Sequence, residues 1–239
     1  MKGLKTILGA LAVVSLLGFS FNASAQENNN RDENGKVVRG AYETNNKLFD
    51  NSFLGLGAGV NTVYNDKEIG NYALGTDVYL GKWFTPTVGG RIGWHGLKNE
   101  IKNNENAIDQ FHYAHADFLW NFSNAVSGYK ETRVWDIIPF VGFGDLMTVP
   151  ANGTFSDDLS HEFAGSAGII NNFRLGGRVD LNLEIGALLS RGKAWKTPDR
   201  FIGFPYASLG LAFNLGRTNF DRHSSITPVV VPVPFTVDQ

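Results

Sequence analysis

A chain of 239 residues with a formal net charge of −2 has no basic stripe with which to hold nucleic acid, so no nucleic-acid partner is expected. With 0 Cys it can form no disulfide framework and carries no cysteine for a lipid anchor. Its 28 Gly and 18 Phe make it glycine-rich and aromatic, yet nothing after the N-terminal segment approaches the roughly 20 consecutive apolar residues of a membrane helix.

Lys2 and Lys5 precede an apolar run from Ile7 to Phe21, which ends in Ala23-Ser24-Ala25. A basic start, a short apolar core and a small-residue site predict a signal peptide, residues 1–25, cleaved after Ala25. An anchor helix fits less well, because Ser15 and Gly18 interrupt a run that is already short. The mature chain is therefore expected to be exported, and any membrane span must be built from strands. Residues 26–51 read as an extension on the periplasmic side.

Eight strands are predicted: Ser52–Val63, Leu74–Phe84, Val88–Leu97, Gln110–Phe122, Val134–Met147, Glu162–Phe173, Arg178–Leu189 and Pro205–Leu215. In the first, Leu54, Leu56, Ala58 and Val60 alternate with Gly55, Gly57, Gly59 and Asn61. In the third, Val88, Ile92 and Trp94 oppose Arg91 and His95, and in the fourth Ala116, Phe118, Trp120 and Phe122 oppose Tyr113, His115, Asp117 and Asn121. The seventh is the cleanest: from Arg178 to Ala187 every even position is charged, amide or glycine and every odd one aliphatic. In the last, Ala207, Leu209, Leu211, Phe213 and Leu215 oppose Tyr206, Ser208, Gly210 and Asn214. Such alternation gives each strand one wet and one apolar face. Recurring behind an export signal, it predicts an all-β fold: an eight-stranded antiparallel transmembrane β-barrel, polar inside and lipid-facing outside, over residues 52–215. Pro139 predicts a bulge or a broken ladder in the fifth strand.

The connections alternate in length. Thr85–Thr87 and Arg174–Gly177 are tight, whereas Tyr64–Ala73, Lys98–Asp109, Thr148–His161 and Ser190–Phe204 are long and polar; Ser123–Arg133 is the exception, long where a tight turn is expected. Short periplasmic turns and long external loops are the barrel pattern, and they put both termini in the periplasm. Phe53, Trp83, Phe84, Trp120, Phe122, Trp135, Phe173 and Phe213 collect at the turn ends, where an interfacial aromatic girdle belongs.

No enzyme motif stands above its ordinary explanation, and no catalytic residue, cofactor or metal is expected. Gly55-x-Gly57-x-Gly59 has the wrong spacing for a nucleotide loop and no helix after it. His112 and His115 fall on opposite faces of a strand and cannot share a metal. Ser160-His161 with Asp157 and Asp158 reads as a polar loop flank more readily than as lipid-hydrolase chemistry at the rim. More telling are Asp77, Arg91, Asp117, Arg178, Asp180 and Glu184, all of which alternation turns inward, with His95 and His115 nearby. An eight-stranded barrel is barely wide enough for its own side chains, so these charges should pair. Arg91 and Asp117, on consecutive strands, are the expected pair, with Asp77 as the competing partner for Arg91. Such a network is either a brace or the gate of a narrow ion path.

Several segments also resemble a known family. Phe49–Gly57, Gly81–Pro86, Asp117–Asn124, Gly128–Arg133 and Ile138–Gly144 are similar to Bacteroidales-type OmpA-like outer-membrane proteins, and the likeness runs in order through Phe49–Leu215. The resemblance implies an N-terminal eight-stranded barrel, commonly followed by a Pro-rich hinge and a peptidoglycan-binding domain. Residues 216–239, with Thr227-Pro228-Val229-Val230-Val231-Pro232-Val233-Pro234, read as such a periplasmic hinge or tail. Peptidoglycan is thus an expected partner only if a domain follows beyond this chain. The expected function is a structural, non-enzymatic barrel of a Gram-negative outer membrane, serving envelope integrity and surface presentation. A small or gated porin-like channel and an adhesin or recognition module acting through its loops are the alternatives. Outer-membrane lipids, lipopolysaccharide and, during insertion, the barrel-assembly machinery are the expected partners.

Overall fold

Along the seventh strand, Asp180, Asn182 and Glu184 are buried while Leu183 and Ile185 are 39% and 57% exposed. Polar residues inside and aliphatic ones outside reverse the order of a water-soluble protein. The structure, a computed structural model, describes residues 48–220 except 66–67, 98–100, 104–105, 151–158 and 192–200. The signal peptide, most of the N-terminal extension, the Pro-Val tail and the loop residues Lys67, Asp157 and Lys196 lie outside the described residues.

Eight long strands form the wall: β1 (Ser52–Asn61), β2 (Ala73–Trp83), β3 (Val88–Leu97), β4 (Asn106–Trp120), β5 (Trp135–Pro150), β6 (Ser160–Arg174), β7 (Val179–Ser190) and β8 (Ile202–Asn214). Each pairs antiparallel with the next, and β8 returns to β1, so Leu56 lies between Val78 and Leu211 and the sheet has no open edge. Closure satisfies every ladder without water, the condition for spanning lipid with strands. Short strands at Tyr64–Asn65, Glu68–Ile69 and Ile101–Asn103 extend the wall at the end that carries the long connections, here the loop end. A span needs about 9–11 residues; β4, β5 and β6, at 15, 16 and 15 residues, therefore project beyond it.

The opposite, turn end is pinned. The backbone N of Asn51 donates to Arg217 O (2.6 Å) and Leu215 N to Ser52 O (2.9 Å), which ties the two ends of the barrel together. Asn51 has φ 57°, a left-handed conformation that Asn tolerates, and it turns the Leu48–Asp50 segment into β1. The long connection after β4 is explained by a helix that alternation could not reveal, α1 (Phe122–Ser127). Asn121 caps it, its side chain accepting from Asn124 N at 2.8 Å, and Gly128 ends it at φ 75°. Asn124 Nδ2 donates to Pro86 O (2.8 Å), fixing α1 against the β2–β3 turn.

Three expectations are corrected. Pro139 causes no bulge: the β5–β6 register runs unbroken through Pro139 and Ile169, and Pro139 lies one residue beyond the last β4–β5 pair, Leu119 with Phe140. The irregularity falls instead between Ile108 and Gln110, opposite Pro150 and Val149. Phe53 and Trp83 do not join the girdle. Phe53 is buried against Tyr79 and Trp83 (ring centroids 6.2 and 6.4 Å), on the inward parity of β1 and β2. The remaining aromatics do face outward at the turn end, with Trp135 stacked on Phe173 (6.2 Å) and Trp120 edge-on to Phe122 (5.4 Å). Finally, the interior is polar only in part. Val63, Phe111, Leu146, Leu188, Ile202 and Phe204, each at most 2% exposed, fill its loop end.

Candidate functional site

Arg91 of β3 lies directly opposite Asp117 of β4, and its Nε donates to Asp117 Oδ2 at 2.6 Å. Its two terminal nitrogens reach across the lumen and donate to Glu184 of β7, Nη1 to Oε2 at 2.6 Å and Nη2 to Oε1 at 2.7 Å. This fork uses the planar geometry that distinguishes arginine from lysine. The guanidinium carbon sits 5.0 Å from the Tyr79 ring centroid and 4.8 Å from that of Phe140, so aromatic faces cover the cation on the sides its hydrogen bonds leave open. Arg91, Asp117 and Glu184 are 5%, 5% and 7% exposed, which makes their mutual pairing obligatory.

A shell of hydroxyl and imidazole groups completes the cluster. Tyr206 OH donates to Glu184 Oε1 (2.7 Å), Ser166 Oγ to Asp117 Oδ1 (3.2 Å) and Tyr113 OH to Ser166 Oγ (3.2 Å). His115 Nδ1 stands 2.9 Å from Asp117 Oδ2. Inward glycines make the room: a Cβ on Gly55 would overlap the Tyr79 ring, and one on Gly142 would overlap the Asp117 carboxylate. The Gly55-x-Gly57-x-Gly59 pattern is therefore space for lumen side chains, with Gly57 against Asp77 and Gly59 against Ser208.

Of the six charges singled out by alternation, Arg91, Asp117 and Glu184 meet in one cluster. Asp77 is not the competitor for Arg91. Its register partner is His95, whose Nδ1 it contacts and whose Nε2 faces Asn61 Oδ1 at 2.7 Å. The second partner of Arg91 is instead Glu184, which comes from the far wall and which strand adjacency does not reveal. Asp180 lies toward the turn end, accepting from Asn214 Nδ2 (3.2 Å) with Arg174 Nε 4.0 Å away. Arg178 is not in the lumen at all; it is exposed in the turn one residue before β7 begins, so its parity has no strand to act through. Sequence reasoning overlooked Tyr79, Tyr206, Ser166 and Phe140, although Tyr206 already carried inward parity. A chain of hydrogen bonds, Asn172 Nδ2 to Asn182 Oδ1 (2.8 Å) and Asn182 Nδ2 to Tyr79 OH (2.7 Å), carries the network toward the turn end.

The space left over is small. The cavity at the cluster measures about 10 Å³ and the one below it, between Phe53, Leu119 and Asp180, about 30 Å³. One water requires about 10–15 Å³ on this measure, so neither cavity carries a file of waters. At the loop end Phe111 and Phe204 (5.2 Å between centroids) close over the cluster.

The other candidates separate. His112 stacks on Trp94 (5.4 Å) while His115 stacks on Tyr113 (5.1 Å) inside the barrel. His161 Nδ1 is 2.7 Å from Asp145 Oδ2; Asp157 and Asp158, weighed beside it in the sequence, lie outside the described residues. Ser160, the preceding residue, takes the opposite parity.

No family model matches the chain. It is 30% identical over 240 residues to outer membrane protein 41 of Porphyromonas gingivalis, covering 90% of this chain and 59% of that protein. To outer membrane protein 40 of the same organism it is 29% identical over 241 residues, with the same coverage. The chain thus spans about 59% of the length of these relatives. Among solved structures, neisserial surface protein A superposes with a TM-score of 0.53 over 69% of this chain and 97% of its own, at 8% identity, a likeness of fold alone. The similarity to these outer-membrane proteins and the closed eight-stranded wall make the chain an outer-membrane β-barrel protein, resident in a Gram-negative outer membrane.

Proposed function

We propose that this barrel is a structural, non-catalytic element of the envelope, braced from within and presenting its loops at the cell surface. The observation that carries the reading is the bidentate Arg91–Glu184 contact across the lumen, joined through Asp117 to the neighbouring strand. It links β3, β4 and β7 at a point where none of the three charges has water to fall back on. The loop end faces outward and the turn end, with both ends of the barrel, faces the periplasm. Outer-membrane lipids and lipopolysaccharide surround the wall, and the barrel-assembly machinery inserts it. Peptidoglycan becomes a partner in a longer form that carries a further domain.

The small cavities and the apolar layer above the cluster favour the brace over an ion path. Deleting the gene should raise detergent sensitivity and outer-membrane vesiculation, with full rescue by the wild-type chain and reduced rescue by Arg91→Met. Unchanged envelope integrity in the deletion strain would contradict a structural role, and a phenotype rescued by the intact barrel but not by a loop-deleted one would favour recognition through the loops.

A further inference from the structure

We propose that a groove on the outer face of the barrel, at the loop end of β6 and β7, holds a phosphorylated glycolipid of the outer leaflet. The groove has a volume of about 760 Å³ and is lined by His161, Phe163, Gly165, Leu189, Arg191 and Phe201, with Glu162 and Ser190 at its seam. That volume lies within the usual ligand-pocket range of about 300–1,000 Å³.

Its chemistry is graded along the barrel axis. Gly165 pairs with Leu189, and together they form an apolar floor; Phe163, 72% exposed and stacked on Phe143 (6.3 Å), and Phe201, 59% exposed, form the walls. Above them stand exposed Arg191 and the His161–Asp145 pair, where apolar residues give way to charged ones. An acyl chain on the floor would place an anionic headgroup beside Arg191, which makes no ion pair or side-chain hydrogen bond among the described residues. Among the described residues, the nearby acids do not oppose this. Asp145 is engaged by His161, and Glu162 takes the inward parity of Ala164 and Ser166. The floor is open because Gly165 has no side chain: a Cβ there would meet only Gly142 O, at 3.8 Å. A guanidinium at the edge of an apolar groove selects a phosphate-bearing amphiphile over a neutral one.

The proposal rests on reading the loop end as the outer-leaflet side, but its test does not depend on orientation. The full chain is refolded in a neutral maltoside detergent and titrated with monophosphoryl lipid A and, separately, with the same lipid dephosphorylated, and bound lipid is read by native mass spectrometry. Arg191→Glu should bind the phosphorylated probe about tenfold more weakly, the size of one charge-assisted contact, and Gly165→Trp should weaken both probes by filling the floor. Leu56→Trp, on the lipid face of β1, should leave binding unchanged. Wild-type affinity in Arg191→Glu, or equal binding of the two probes to the wild type, would overturn the proposal. If Gly165→Trp fails to refold, Gly165→Leu tests the floor, and unaltered binding there would overturn the acyl part. None of these positions touches the lumen cluster, so failure here leaves the brace intact, and loss of the brace would appear as instability instead.

Discussion

Arg91 is held by two carboxylates, one beside it in register and one from the far wall, and the three buried groups sum to a formal charge of −1. Removing the cation strands both acids. Arg91→Met should therefore cost about 3–5 kcal/mol, the penalty for an uncompensated buried charge. Glu184→Leu should cost less, because Arg91 keeps Asp117. The double mutant should cost less than the sum, since each change removes the other's unpaired partner. Urea unfolding of the four proteins in lipid vesicles gives the coupling directly, and additive effects would mean that Arg91 and Glu184 do not interact. The Arg91–Asp117 half of this cluster was legible in the sequence because both residues sit at inward positions of hairpin-connected strands. The Glu184 half was not, since contact across a barrel depends on its diameter and stagger rather than on adjacency. Asp77 was assigned to Arg91 on strand adjacency alone; four residues of register give it to His95 instead.

At the scale of the strand, alternation located the wall well and its ends poorly. It placed the outward faces of β1, β3, β7 and β8 because lipid demands apolar residues at every second position. Ladder pairing continues past the apolar band, so β4 begins at Asn106 and β8 at Ile202, beyond the hydropathy signal. Depth should govern what the lipid face tolerates. Ile185→Arg, well within β7, is expected to destabilise by about 2–4 kcal/mol, whereas Val134→Arg, exposed at the turn end one residue before β5, should cost about 0–1 kcal/mol. Equal losses on refolding into liposomes would contradict the assigned span. The helix α1 escaped detection because six residues hold less than two turns of periodicity. Its cap, Asn121, is the informative residue: Asn121→Ala should cost about 1 kcal/mol and raise hydrogen exchange at 122–127 without altering the barrel strands. Exchange spread over the whole wall would mean that α1 is part of the barrel's cooperative unit.

For the molecule as a whole, the alternation of connection lengths predicts an orientation. Cysteines placed at Lys67, Asn103, Asp157 and Lys196 should react with an impermeant reagent on intact cells, and cysteines at Pro86 and Leu175 should not; the reverse pattern would invert the barrel. The fold was legible because parity and turn length are both local signals of one architecture. The filling of the lumen was less so. Phe53, Trp83, Phe111 and Phe204 turn inward because a narrow barrel must be packed and not merely wetted, and an aromatic near a strand end looks the same in sequence whether it meets lipid or lumen. Such packing suits a barrel that carries load rather than one that conducts. The most direct measurement is the current through planar bilayers containing the refolded chain, compared with a variant in which Arg91→Cys and Glu184→Cys replace the ion pair with a lockable link. A structural barrel should give no discrete single-channel steps in either protein; steps in the wild type that are absent from the variant with its link oxidised and present once the link is reduced would make the Arg91 cluster a gate and contradict the brace.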